Sequence, residues 1–136
     1  MINTNVYNYI DVLDKAADAA WIRNEAIANN IANADTPGYK RQDVAFETEL
    51  KKALRTAKYS GTKESRDSLN EVVSNLDLKR LDARPYTDNA GYSYRLDGNN
   101  VDPDVEGVKL AENQLYYQGL MQSINGEFSS LQMVMK

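Results

Sequence analysis

The sequence predicts a mainly α-helical protein, in which long N- and C-terminal helices pack as an antiparallel helical hairpin or coiled coil. Near each end, seam positions recur at alternating intervals of four and three residues, a spacing typical of coiled-coil seams. Residues 39–100 lack such a seam, and much of this stretch is polar and interrupted by glycine and asparagine turns. We therefore expect an N-terminal core segment at 1–38, a variable, partly extended or disordered middle at 39–100, and a C-terminal core helix at 101–136.

The N-terminal seam extends through four heptads and has one polar member, Asn24. Asn24 either lies near solvent or fixes the register of the helices, as a buried asparagine does in coiled coils. Pro37 and Gly38 end the helix, because proline disfavours helix at the preceding residue and glycine permits the turn that follows. The seam positions, which we predict to be packing and assembly residues, are Val6, Ile10, Leu13, Ala17, Ala20, Asn24, Ile27, Ile31 and Ala34.

The C-terminal seam follows a helix start in which Asp102 is the expected N-cap and Pro103 the first helical residue. Gly119 and Gly126 share a face on which a neighbouring helix could approach closely, although sequence drift is an alternative explanation. The bulky residues around Tyr116 and Leu120 either form an interface or complete an intramolecular core. The predicted packing and assembly residues are Leu110, Gln114, Leu115, Tyr117, Met121, Ile124, Phe128, Leu131 and Met135.

The middle segment contains one amphipathic stretch that predicts a short helix at about 46–58. Phe46, Leu50 and Leu54 lie on one face of that helix. The polar residues 59–75 are expected to be mobile before assembly. Residues 85–100 combine turn signals with alternating apolar residues, which predicts a β-hairpin or an extended arm.

Composition and charge exclude several function classes. The chain has no Cys and no His, which removes thiolate and imidazole chemistry. The net charge is −4, and the basic residues of 39–66 are interleaved with acids and lack an aromatic platform, so we expect no nucleic-acid binding. No nucleophile motif or phosphate-binding loop is present, so we expect no enzyme activity and no cofactor.

An acidic group near the start of the C-terminal helix invites a calcium interpretation, but its spacing does not fit. An EF-hand loop needs glycine at position six and glutamate at position twelve, and counting from Asp97 places Asp102 at position six. We expect these acids to form a turn and a helix start, without a metal. No apolar run approaches the roughly 18 residues of a membrane span, and no cleavable signal peptide is apparent, so we expect no direct membrane insertion.

Residues 28–39 resemble the signature shared by bacterial flagellar rod and hook proteins. The matching residues are Ala28, Asn29, Asn30, Ile31, Ala32, Asn33, Thr36, Pro37, Gly38 and Tyr39. Residues 96–102, 110–118 and 123–128 are similar to the corresponding parts of proximal rod proteins within that family.

The resemblance implies a structural subunit of the flagellar basal body rod that polymerises through its terminal helices and helps transmit motor torque to the hook. Implied partners are copies of the chain, other rod proteins, the adaptor protein at the membrane ring and, in transit, the flagellar type III export apparatus. Alternatives are another rod component, or a soluble coiled-coil adaptor or export chaperone that would be well folded alone.

Overall fold

The computed structural model describes residues 4–60, 73, 76–78, 81–89 and 95–135. The described elements are helix α1 (Thr4–Ala32), strand β1 (Gln42–Val44), helix α2 (Phe46–Ser60), strand β2 (Pro85–Thr87) and helix α3 (Pro103–Val134). The predicted mainly helical class is therefore confirmed. Most of the polar stretch expected at 59–75 lies outside the described residues.

Helices α1 and α3 pack antiparallel along their lengths. The amide of Asn30, near the end of α1, donates to Glu106, near the start of α3, over 2.9 Å. Further along, Asn113 donates to the carbonyl of Ala20 over 2.8 Å. Residues later in α3 therefore contact residues earlier in α1, so the two helices are antiparallel. The predicted antiparallel hairpin is confirmed.

The core is built around α1, whose buried positions are mostly alanine. Small side chains allow backbones to approach closely, so α1 can be covered on two sides at once. Leu120 of α3 reaches this core from one side, and Val44 and Phe46 reach it from β1 and α2. The buried apolar cluster consists of Ala16, Ala17, Ala19, Ala20, Ala26, Val44, Phe46, Leu76, Leu81 and Leu120.

The two short strands form an antiparallel pair at one end of the hairpin. Asp43 lies opposite Tyr86 in this pair, and Val44 lies opposite Pro85. Strand β2 belongs to the segment for which a hairpin or arm was expected, but its partner is β1 rather than a neighbouring stretch of that segment. Residues 90–94 lie outside the described part of the chain. The sheet therefore joins two distant parts of the middle segment.

A local cap fixes the start of α3, and a side chain of α1 anchors the start of α2. Asp102 is the N-cap of α3, and its carboxylate accepts from the backbone N–H groups of Asp104 at 3.0 Å and Val105 at 3.4 Å. Helix α2 covers the predicted range 46–58 and extends to Ser60. The Arg23 guanidinium anchors the start of α2 by donating to the carbonyl of Val44 over 3.1 Å and by pairing with Glu47.

Candidate assembly site

The turn that follows α1 is held by the side chain of one buried residue, Asn99. Its Nδ2 group lies within 2.9 Å of the carbonyl oxygens of Asn33 and Thr36 and within 3.0 Å of that of Ala34. Its Oδ1 accepts from the backbone N–H of Val101 over 2.8 Å. Because backbone groups that are shielded from water need hydrogen-bond partners, Asn99 stabilises the side of the turn that faces it.

Two glycines bring the chain after α1 close to the chain before α3. Gly38 has φ of +73° and Gly98 has φ of +75°, a left-handed conformation that side chains disfavour. The N–H of Gly38 donates to the carbonyl of Asp97 over 2.8 Å, and Lys40 donates to the carbonyl of Gly98 over 2.6 Å. Substitution at either glycine would therefore strain the contact between the two ends of the hairpin.

Asn30 is fully buried and links α1, β1 and α3 through a complete set of hydrogen bonds. Its Nδ2 donates to the carbonyl of Gln42 at 2.8 Å and to Glu106 at 2.9 Å. Its Oδ1 accepts from the N–H of Gln42 at 2.8 Å and from the Tyr39 hydroxyl at 3.3 Å. Asn30 thus pairs with Gln42 as a neighbouring strand would, and both its donors and both its lone pairs are used.

A buried ion-pair cluster lies beside Asn30. Glu106 is only 1% exposed and accepts from the guanidinium of Arg41 over 2.7 Å. The same guanidinium contacts Asp88 over 3.4 Å and pairs with Asp43. Burial disfavours the charge of Arg41, but hydrogen bonds to Glu106 and Asp43 outweigh burial and raise its pKa above its ordinary value. The buried carboxylate is thereby neutralised by a charge-assisted bond.

Asn100 extends the same network to β2. Its Oδ1 accepts from the backbone N–H of Arg41 at 2.7 Å, and its Nδ2 donates to the carbonyl of Asp88 at 3.0 Å. The N–H of Asp88 in turn donates to the carbonyl of Arg41 at 2.8 Å. We call the contact between residues 30–41 and 95–106, with β2, the signature junction. It locks the start of α3 to the end of α1.

The structure places the predicted signature residues in two environments. Asn30 is buried in the junction, and Asn33 and Tyr39 are partly buried within it. The remaining signature residues are exposed on α1 and on the turn: Ala28, Asn29, Ile31, Ala32, Thr36, Pro37 and Gly38. The family signature therefore contains a folding part and a surface part, and the assembly role of the surface part remains a prediction.

Most of the predicted N-terminal seam lies on the inner side of α1. The buried members are Ile10, Ala17, Ala20, Ile27 and, just after the helix, Ala34. Leu13 and Asn24 are partly buried, Ile31 is exposed, and Val6 lies in the first turns of the helix. The seam thus provides intramolecular packing, and its role in assembly remains a prediction.

The predicted C-terminal seam straddles the boundary between the inner and outer sides of α3. Leu110, Tyr117, Ile124 and Leu131 are partly buried. The buried residues of α3 are Glu106, Asn113 and Leu120. Gln114 and Met121 of the predicted seam therefore each lie one position after the residue that is buried. The members that remain exposed are Gln114, Leu115, Met121, Phe128 and Met135.

The side of α3 opposite the hairpin is exposed and, from residue 113 onward, uncharged. Leu115 is 70% exposed, and a Cβ added at Gly119 or Gly126 would meet no atom within 4 Å among the described residues. From residue 113 to residue 135 the helix has a single charged residue, Glu127. We call this surface the outer face of α3; its members are Val108, Leu115, Gly119, Gln122, Gly126 and Met133.

Of the residues that build the signature junction, the sequence signature contains Asn30, Asn33 and Tyr39. Sequence reasoning missed the role of Arg41, Asn99 and Glu106, which in the sequence are only a basic residue among acids, a turn residue and an acid near a helix start. The sequence does contain asparagines and charges of both signs after the first long helix and before the last one, and such residues can form a buried polar network. Nothing local in the sequence assigns their partners, which lie 63 to 66 positions away for the bonds of Asn99 to the turn.

Within the described ranges, no group of three potential ligands among His, Cys, Asp and Glu is arranged to hold a metal ion. The same part of the chain contains no helix that is both long and apolar enough to span a membrane.

A helical hairpin with a buried polar junction and an exposed outer face depleted of charge defines a subunit built to pack against other proteins. A family model described as "Flagella basal body rod protein" matches residues 10–40. This match covers most of α1 and the signature turn, and it agrees with the resemblance drawn from residues 28–39.

Curated relatives identify the family. The chain is 35% identical to the flagellar basal body rod protein FlgB of Bacillus subtilis (strain 168), over 93% of this chain and 92% of the relative. It is 34% identical to FlgB of Escherichia coli (strain K12), over 84% of this chain and 83% of the relative. It is also 34% identical to FlgB of Borrelia hermsii, over 93% and 95%. The chain belongs to the FlgB family of flagellar basal body rod proteins, and it is a structural component of that rod.

Proposed function

We propose that the chain is a proximal rod subunit that polymerises through the outer faces of α1 and α3 and helps transmit torque from the motor to the hook. The observation that carries this proposal is the outer face of α3, which exposes Leu115 and Met133 beside two open glycines. A surface that exposes methionine and is depleted of charge is typical of the centre of protein–protein interfaces. Glycines on the face allow the backbone of a neighbouring helix to approach closely.

The signature junction supports a mechanical role. Torque transmission requires that the two helices of a subunit move together, and the junction ties them by buried hydrogen bonds and ion pairs. Asn30 and Glu106 link the helices directly. Gln42 ties α1 to the middle segment through Asn30, and Arg41 ties α3 to it through Glu106. Since a buried, fully satisfied polar network is rigid, load on one helix is passed to the other.

We propose the following partners: copies of the chain, other rod proteins, the adaptor protein at the membrane ring and, during transit, the flagellar type III export apparatus. Family membership supports each of these. The role is structural rather than catalytic, which agrees with the names of the relatives. The charged groups of the signature junction also support this role, because they are occupied in pairing with one another.

The test is complementation of a strain in which the gene is deleted. Leu115→Asp together with Met133→Asp adds charge to the outer face of α3 without touching the hairpin core. We expect basal bodies imaged by electron cryotomography to stop at the membrane ring in the deletion strain. The variant chain should be exported and should fail to restore the rod.

Asn89→Asp is the control, because it adds a negative charge at an exposed position beside β2 with almost no change of shape. It should restore complete rods. Intact rods in the deletion strain would overturn the rod assignment. Intact rods in cells carrying only the doubly substituted chain would show that the outer face of α3 is not a building surface.

A further inference from the structure

The outer side of α1 is acidic and has one large aromatic residue at its centre. Trp21 is 64% exposed, with Asp18 and Glu25 about one helical turn before and after it. Asp11 and Asp14 continue the same exposed side. The two basic residues of α1 are already engaged, Lys15 with Asp82 and Arg23 with Glu47. The side chains exposed around Trp21 therefore favour a cationic partner.

A notch of about 120 Å³ opens beside Trp21, between α1 and α3, and two asparagines are among its lining residues. Asn113 is 5% exposed, and its Nδ2 donates to the carbonyl of Ala20, which fixes its Oδ1 as the free atom. Within the described residues, the buried Oδ1 atoms of Asn113 and Asn24 have no hydrogen-bond partner. The residues lining the notch are Ala20, Trp21, Asn24, Asn113, Gln114, Tyr117 and Gln118.

These features together specify the chemistry of an occupant. The notch has the exposed indole of Trp21 at its rim, and exposed acidic side chains surround that indole on α1, so the surface favours a cation with a flat face. A guanidinium carries five donors in a plane and stacks on an indole ring, so an arginine side chain meets both requirements. A lysine ammonium offers donors without the planar surface that Trp21 can stack on.

The chain itself offers such a cation on α2. Lys51, Lys52 and Arg55 are exposed near one another, and none of them has an ion pair within the described part of the chain. The cationic side chains of α2 cannot reach the notch of their own molecule. Arg23, which holds α2 through Glu47, follows Trp21 by two residues and therefore lies about 200° around α1 from it.

We propose that Arg55 of one copy stacks on Trp21 of the next copy, at the mouth of the notch. Lys51 and Lys52 of the entering copy then face the acidic side of α1. This contact joins two different surfaces of the same chain, so it is heterologous and can propagate along a helical assembly. The inference deepens the proposed rod function and depends on it, because it names the neighbour as another copy of the chain.

Arg55 and Trp21 are expected to contribute most of the binding. Arginine and tryptophan in desolvated pockets are typical interface hot spots, whereas exposed lysine–carboxylate pairs contribute little and weaken with salt. Trp21→Ala and Arg55→Ala should each reduce the number of complete rods by roughly tenfold. Glu49→Ala, at an exposed position of the same helix, is the matched control and should have no effect.

Charge reversal separates a contact between copies from a folding defect. Asp18→Lys with Glu25→Lys, or Lys51→Glu with Lys52→Glu, should each reduce complete rods in a deletion strain. All four substitutions in one chain restore complementarity between copies and should return rods to within about twofold of the natural chain. A combined variant no better than its parents would overturn the proposal.

Cysteine cross-linking tests proximity directly, since the chain has no cysteine of its own. Cells expressing one chain with Gln118→Cys and a second with Lys52→Cys should give a cross-linked dimer when treated with a mild oxidant. The pair Gln118→Cys and Asn89→Cys should give none.

The outcomes distinguish this inference from the proposed function. If gene deletion removes rods but the alanine variants, charge reversals and cysteine pair have no effect, the rod function stands. The notch then holds water only, and the inference is wrong. If deletion leaves rods intact, the proposed function itself fails.

Discussion

Asparagine side chains substitute for backbone hydrogen bonding throughout the signature junction. Asn30 pairs with both backbone groups of Gln42, and Asn99 satisfies carbonyls of the turn after α1. The amide has a donor and an acceptor of fixed separation, as a peptide group does. An aspartate at either position would lose the donor and bring a negative charge against carbonyl oxygens.

Asn99→Ala should destabilise the chain by about 1–3 kcal/mol, because the buried N–H of Val101 loses its acceptor and the carbonyls of the turn lose one of their donors. Urea unfolding followed by circular dichroism measures the change. Asn89→Ala, at an exposed position, should change stability by less than about 0.5 kcal/mol. Equal stability of the two variants would mean that water replaces the Asn99 amide.

Asp43 makes the stability depend on acid pH. Burial disfavours its charge, but bonds from Arg41 and the N–H of Val44 outweigh burial and lower its pKa below the ordinary value. Its charge therefore stabilises the fold above about pH 4, and this contribution is lost as pH falls through the lowered pKa. Asp43→Asn should lower the melting temperature at pH 7 and have a much smaller effect at pH 3. A difference that stays constant between the two pH values would contradict this assignment.

At the scale of elements, α1 depends on small residues to pack against two neighbours. Ala20 is 1% exposed at the contact with α3, where its carbonyl also accepts from Asn113. Ala20→Leu should cost about 1–3 kcal/mol, because the larger side chain forces the helices apart. Ala28→Leu, on the exposed side, is the control and should be nearly neutral. The measurement is again urea unfolding, and equal stability of the two variants would show that the α1–α3 contact can widen freely.

The inner face of α3 shows how a periodic pattern can leave the packing side undecided. Apolar residues occur on both sides of this helix, so the spacing from Leu110 to Met135 fits two neighbouring faces equally well. The tertiary structure selects the face that contains Glu106 and Asn113, because these polar residues have partners across the hairpin. The remaining apolar positions are exposed, and we propose that other subunits cover them.

For the whole molecule, the two ends of the hairpin differ in stability. One end contains the signature junction, whereas the other exposes Phe128, Met133 and Met135 of α3. Amides with few buried contacts around them open with low free energy. In hydrogen exchange of the purified chain, we expect the amides near Asn30 and Glu106 to be the most protected.

The amides of residues 128–135 should exchange quickly in the purified chain and become protected in isolated basal bodies. This gain would show that assembly completes the folding of the helix end. Uniform protection along α3 in the purified chain would instead show a cooperative, fully folded monomer.

The sequence by itself determined the two long helices, the Asp102 cap and the family, because each depends on local chemistry or a contiguous motif. It predicted that Pro37 and Gly38 end the first helix, but α1 already ends at Ala32, where a turn begins. The tertiary structure alone decided the pairing of β1 with β2, the partners of Arg41 and Asn99, and the side of α3 that faces inward. These contacts join residues far apart in the chain. Hydrogen-bond partners and buried charges at such separations leave no periodic trace in the sequence, since only the folded backbone brings them together.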